Sequence, residues 1–150
     1  MTEFIDWEGE EIHARELLEK LGLSVHALVH PDGTIEHLTP STQKAAHAGK
    51  SVHKGIQHLN GYTLGFELLV AGNNDYGTFI KKINEPNCYT EEQIEAAKTL
   101  TKEWMAQYNI RIQDVLRHSD VSGDDVRGDG QGKRDPGTAF PFAEWRESLV

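Results

Sequence analysis

Four residues of this 150-residue chain have types and positions suited to chemistry: Glu67, His118, Lys133 and Asp135. His118 falls where a strand is expected to end, and Asp135 follows 17 positions later, directly before Pro136 and Gly137. An imidazole and a carboxylate are both metal-ligand types, and a proline fixes the backbone of the residue before it, so Asp135 would be a rigidly held donor. The same spacing also occurs in many chains that bind no metal. Glu67 interrupts the apolar run "YTLGFELLV". A carboxylate there costs several kcal/mol if it stays charged and unpaired, so it needs a cation, a metal-bound water or a pocket. Otherwise it points off the sheet edge or pairs with a structural arginine. Lys133, two residues before Asp135, is a surface charge by default.

The elements that must position these groups are legible as periodicity. Glu8 to Leu21 is expected to be a helix, with an apolar stripe of Ile12, Leu17, Leu18 and Leu21 and with Gly22 at its end, and "EFIDW" before it to be extended. "SVHALVHPDGTIEHL" alternates and turns at Pro31-Asp32-Gly33, which predicts a hairpin. Thr39 to Asn60 is expected to be a long loop. "GYTLGFELLVAG" is a continuous apolar run, the pattern of a central strand buried on both faces. Thr90 and Gln93 form a capping box for a helix lined by Ile94, Ala97, Leu100, Trp104 and Tyr108. "IRIQDVLRHSD" is expected to be a short strand leading to His118, and "AFPFAEWRESLV" a terminal helix. Asp124, Asp125 and Asp129, between the two, are solvated loop charges on this reading. The class is α/β: a mixed central sheet flanked by helices, in one domain spanning residues 1–150.

Composition narrows the partners. A net charge of −9 opposes binding to phosphate backbones, so nucleic acid is not expected. No run approaches the roughly 20 apolar residues of a membrane span, and the acidic N-terminus has no secretory-signal pattern, which predicts a cytoplasmic location and no membrane partner. Cys88 is the only cysteine, so a thiolate-rich metal site is excluded and any metal must take histidine and carboxylate ligands.

Taken together, "SVHALVHPDGTIEHLTPSTQKAAHAGKS", "YTLGFELL", "RHSD" and "GKRDPGTAFPF" resemble, in order and approximate spacing, the zinc-dependent N-acetylmuramoyl-L-alanine amidases, the group of AmpD, T7 lysozyme and the peptidoglycan recognition proteins. The resemblance runs from about Ser24 to the C-terminus and is nearest to the AmpD-like branch. It implies an amidase type 2 (T7 lysozyme-like) fold, a Zn2+ cofactor held in part by His118 and Asp135, and catalytic roles for Glu67 as proton carrier and Lys133 as oxyanion stabiliser. His26 and His47 would border the cleft as substrate-binding residues. Val25 stands where tyrosine-dependent members carry their tyrosine, which favours the glutamate branch. The bond cleaved would be the amide between the lactyl group of N-acetylmuramic acid and L-alanine, in peptidoglycan or in a muropeptide, as in a phage-type endolysin or in muropeptide recycling.

Members generally take their first zinc ligand from a histidine closing an N-terminal strand of the type I-V-I-H. Here "EFIDW" places Asp6 at that point and His13 follows, so the third ligand would be Asp6, His13 or none. Two readings result: a zinc amidase, or a non-catalytic relative whose cleft binds peptidoglycan fragments or another ligand.

Overall fold

A computed structural model of the chain describes residues 4–150. Its central sheet has three strands in the order β4-β3-β7: β3 (Ala27–Val29), β4 (Ile35–His37) and β7 (Phe66–Leu68). β3 runs antiparallel to β4, with Leu28 opposite Glu36, and parallel to β7, with Leu28 opposite Glu67. The sheet is therefore mixed, with helices packed against it.

β3 and β4 form the expected hairpin. Gly33 holds φ +88° at its turn, where the Asp32 carboxylate accepts the Thr34 N–H at 2.9 Å. Double burial belongs to β3, whose Val25 to Val29 stretch is buried throughout. The run around β7 forms only three ladder residues at the edge of the sheet, each half-buried, which corrects the expectation of a long central strand there. Ala27 and Val29 pack against Leu100, while Val25 and Leu28 pack with Ala14 and Leu69 on the opposite face. Phe66 and Leu68 join the Leu100 side, and Glu67 between them lines the cleft described below.

Helix α3 (Glu91–Tyr108) buries Gln93, Ala97, Leu100 and Thr101 at helical spacing. The Thr90 hydroxyl accepts the Gln93 N–H, but the Gln93 side chain does not complete the box. Its amide instead donates to the carbonyls of Val29 (2.9 Å) and Leu69 (2.8 Å), fixing the helix to both β3 and β7. Asn109, left-handed at φ 53°, ends the helix.

Other expectations shift. Residues 4–12 form a small hairpin, β1 (Phe4–Ile5) with β2 (Glu11–Ile12), so the first helix is only α1 (Ala14–Lys20); Glu3, part of the expected extended stretch, lies outside the described residues. The long loop contains a second hairpin, β5 (Val52–His53) with β6 (Ile56–Gln57), and a 3-10 turn at Leu59–Gly61. An additional helix, α2 (Tyr76–Lys82), is capped by Asp75. Ile112–Asp114 is a 3-10 turn, and the expected strand before His118 does not form. α4 (His118–Val121) and α5 (Asp124–Arg127) follow, then the expected terminal helix, α6 (Phe142–Glu147). Among the described residues no helix is long and apolar enough to cross a membrane.

Candidate functional site

His118 is the first residue of α4 because Arg117 and Asp120 cap that turn: the Asp120 carboxylate accepts the Arg117 backbone N–H (2.9 Å) and two guanidinium bonds (3.1 and 2.8 Å). The glycine-rich stretch after it folds back tightly. Asp124 accepts the Gly132 N–H at 2.8 Å and pairs with Arg134, so this loop charge, though partly solvent-exposed, also staples the loop. Gly132 has no room for a Cβ against the Asp124 backbone. Lys133 N–H then donates to the Ser122 carbonyl (2.8 Å), and Ser119 N–H to the Asp135 carbonyl (3.2 Å), which brings Asp135 back beside His118. Tyr89 holds the far side through its hydroxyl, 2.7 Å from the Pro136 carbonyl.

His118 Nδ1 lies 3.1 Å from Asp135 Oδ2, and His118 Nε2 lies 3.1 Å from the Ala48 carbonyl. Burial alone would lower the His118 pKa, but the hydrogen bond and charge of Asp135, helped by the Ala48 carbonyl and Glu67, raise it above the ordinary value. Burial opposes ionisation of Asp135 too, and the His118 hydrogen bond and charge prevail and hold its pKa low. Glu67, facing the same space, is pushed up to about 7, first by loss of water around it and then by the Asp135 charge, with His118 and Lys133 opposing. Lys133 is half-buried and acts on both carboxyls through its charge.

The "AAHAG" segment forms the adjoining wall. The Asn60 side-chain oxygen accepts the N–H groups of His47 (3.1 Å), Ala48 (2.7 Å) and Gly49 (3.3 Å). That fixes the Ala48 carbonyl, which also accepts from Ser122 and Arg127. His47 lines the cleft, with Nε2 3.2 Å from the Thr63 carbonyl; burial lowers its pKa against the opposing pull of that carbonyl. His26 is 1 % exposed: Nε2 bonds the Gln43 carbonyl (2.8 Å), and Nδ1 accepts the Gly65 N–H (3.1 Å). It supports the wall from behind, its ring centroid 5.5 Å from that of His47.

Glu67, His118, Asp135 and His47 thus stand around one cleft of about 790 Å³. Neither candidate for the third ligand joins them. Asp6 bonds the Lys20 ammonium at 2.6 Å and the N–H groups of Glu8 and Glu10, and His13 borders a separate depression beside α1. Among the described residues no group of three or more His, Cys, Asp or Glu side chains is placed to hold a metal ion. The expectation of a Zn2+ cofactor is corrected accordingly. The two expected ligands satisfy each other, the second imidazole nitrogen is taken by a backbone carbonyl, and the third carboxylate is neutralised by a lysine elsewhere.

Sequence reading did not single out Asn60, Ser122 or Gly65. Their roles rest on contacts far apart in the chain; only the Asn60-Gly61 pair carries a local turn signal.

Comparison with known proteins agrees with this architecture. The 1,6-anhydro-N-acetylmuramyl-L-alanine amidase AmpD of Enterobacter cloacae is 27% identical over 130 residues, covering 87% of this chain and 59% of that protein. The solved structure of AmiD from E. coli, in complex with anhydro-N-acetylmuramic acid-L-Ala-D-gamma-Glu-L-Lys, superposes with a TM-score of 0.65 at 26% identity, over 85% of this chain and 48% of that one. AmpDh3 from Pseudomonas aeruginosa, in complex with anhydromuramic pentapeptide, gives a TM-score of 0.66 at 27% identity, over 85% and 51%. The chain therefore spans about half to three-fifths of the length of these relatives. The family model described as N-acetylmuramoyl-L-alanine amidase matches residues 3–138, which include Glu67, His118, Asp135 and His47, and the chain belongs to that family.

Proposed function

We propose that this chain binds peptidoglycan-derived muropeptides in the cleft and does not cleave them by the metal-dependent route of its family. The observation that carries this reading is the His118–Asp135 pair, closed on itself at 3.1 Å on the wall of a cleft of about 790 Å³. That volume is within the range of about 300–1,000 Å³ usual for small-molecule sites. Relatives of the same fold have been solved with anhydromuropeptides, ligands that combine a sugar, amides and free carboxylates. The lining of the cleft suits such a mixture: apolar surface from Phe66 and Trp104, with Glu67, His47 and the His118–Asp135 pair as fixed polar groups. In this reading Glu67 meets the ligand as a donor when protonated and as an acceptor when ionised, and Lys133 supplies positive charge from behind.

Calorimetric titration with anhydro-N-acetylmuramic acid-L-Ala-D-γ-Glu-L-Lys, followed by mass spectrometry of the recovered ligand, tests this. Saturable binding with intact ligand is expected. Absence of binding sinks the reading, and release of free tripeptide by the protein alone sinks its non-catalytic part.

A further inference from the structure

At the mouth of the same cleft, away from the His118–Asp135 pair, one carboxylate gathers three basic side chains. Asp114 Oδ1 accepts from His53 Nε2 (3.0 Å) and Lys54 Nζ (2.8 Å), while Oδ2 accepts from Arg111 Nε (3.1 Å) and pairs with Nη2 at 3.0 Å. All four residues line the cleft. Two permanent cations face a single anion, so positive charge remains in excess at this point of a chain whose net charge is −9. Donors remain as well: a guanidinium has five N–H groups and an ammonium three, and Asp114 takes at most two of the former and one of the latter. Both groups reach solvent, with Lys54 52% and Arg111 61% exposed at the side chain.

The backbone places this cluster deliberately. Lys54 and Gly55 form the two-residue turn of the β5–β6 hairpin, with φ +48° and +80°. Both central residues of such a turn need positive φ, which favours Asn, Asp or Gly at the first position; a lysine there is held against its backbone preference. The turn borders the cleft through His53 and Lys54, which also tie it to the Ile112–Asp114 turn, 60 residues away in sequence.

We propose that Arg111 and Lys54, oriented by Asp114 and His53, form a carboxylate-binding subsite at the cleft mouth that takes a free carboxylate of the ligand's peptide portion. The inference rests on muropeptide binding in the cleft and adds what selects the peptide. A stem peptide linked through the γ-carboxyl of D-Glu keeps its α-carboxylate free, and its terminal residue carries another. Arg111 offers a planar pair of donors to such a group, and Lys54 a point charge.

The test compares anhydro-N-acetylmuramic acid-L-Ala-D-γ-Glu-L-Lys with the analogue in which both peptide carboxylates are carboxamides, against the full chain, by calorimetry. The wild-type protein is expected to prefer the acid form about tenfold or more, and added salt to reduce that preference. Arg111→Gln with Lys54→Met is expected to remove the preference while leaving affinity for the carboxamide analogue within about twofold. Circular dichroism checks that the variant is folded; Lys54→Met alone, which leaves Asp114 bonded to His53 and Arg111, is the milder control. Equal wild-type affinity for the two ligands overturns the subsite and leaves muropeptide binding standing, as does an undiminished preference in the double variant. Failure of the wild-type protein to bind either ligand overturns both.

Discussion

The two ring nitrogens of His118 face two acceptors: Asp135 Oδ2 and the Ala48 carbonyl, each at 3.1 Å. A neutral imidazole has only one N–H and could satisfy one of them; the imidazolium satisfies both. The pair is therefore an internal ion pair, a state opposite to that of a histidine that must offer a lone pair to a metal.

The first prediction concerns that pair. The folded pKa of His118 is raised, so its share of stability is complete below the unfolded value near 6.5 and is lost as pH rises through the folded value. The folded pKa of Asp135 is lowered, so its share is present above the unfolded value near 3.8 and is lost as pH falls through the folded value. The pair contributes most between these limits. Asp135→Asn should destabilise the protein by roughly 1–3 kcal/mol at pH 6 and return the His118 pKa toward the ordinary value. Proton NMR titration of the His118 ring reads this directly, and an unshifted ring in the wild-type protein would contradict the assignment.

Zinc provides the second. With His118 and Asp135 committed to each other and no group of three or more His, Cys, Asp or Glu side chains placed to hold a metal ion among the described residues, equimolar Zn2+ should leave the thermal midpoint unchanged, as should a chelator. Scanning calorimetry with and without each is sufficient. Tight 1:1 zinc binding, with a rise in midpoint that tracks zinc concentration, would require these side chains to rearrange.

How far the site was legible from sequence depends on which contacts are local. Glu67, His118, Asp135 and His47 stood out by type and motif, and they surround one cleft. The backbone under His118 was misread because "IRIQDVL" has strand-like composition, whereas Asp120, at the third position of the helical turn, caps the Arg117 N–H and starts α4. Likewise, the apolar run over β7 has the composition of a doubly buried strand, yet β3 occupies the centre of the sheet because it pairs on both sides, a fact of topology absent from either segment alone. The mixed sheet, the β3–β4 hairpin and α3 were readable because turn residues and helical spacing mark them locally. The cluster on Asp114 joins residues 60 apart, and the Asn60 clamp lies inside a loop whose composition gives no periodic signal for it.

Glu67 yields the third prediction. Its folded pKa is raised to about 7, so ionisation costs the folded state stability as pH climbs from about 4.5 to 7, and the cost then levels off. Glu67→Gln, which keeps the shape and removes the charge, should match wild type near pH 4 and exceed it by up to roughly 3 kcal/mol above pH 7. Urea denaturation at the two pH values measures the difference. A variant equally stable to wild type at both would mean that the carboxyl is solvated in the folded protein.

The last prediction tests why a glycine precedes Phe66. The His47 imidazole packs directly over Gly65, where an added Cβ would come 2.6 Å from Nδ1 and 2.7 Å from Cγ. Gly65 also donates its N–H to His26 and accepts from the His26 N–H through its carbonyl, so the backbone cannot retreat without breaking the join to β3. Gly65→Ala must therefore either displace His47 or loosen the edge strand, at about 1–3 kcal/mol, the usual cost of overpacking. Since Asn60 holds the His47 backbone N–H and the ring lines the cleft, a ring displaced from the Thr63 carbonyl would be driven into the cleft. Muropeptide affinity should then fall together with stability, whereas Gly65→Ala combined with His47→Ala should recover stability alone. Full affinity in the single variant would show that the ring can move without obstructing the ligand, and would remove His47 from the binding surface.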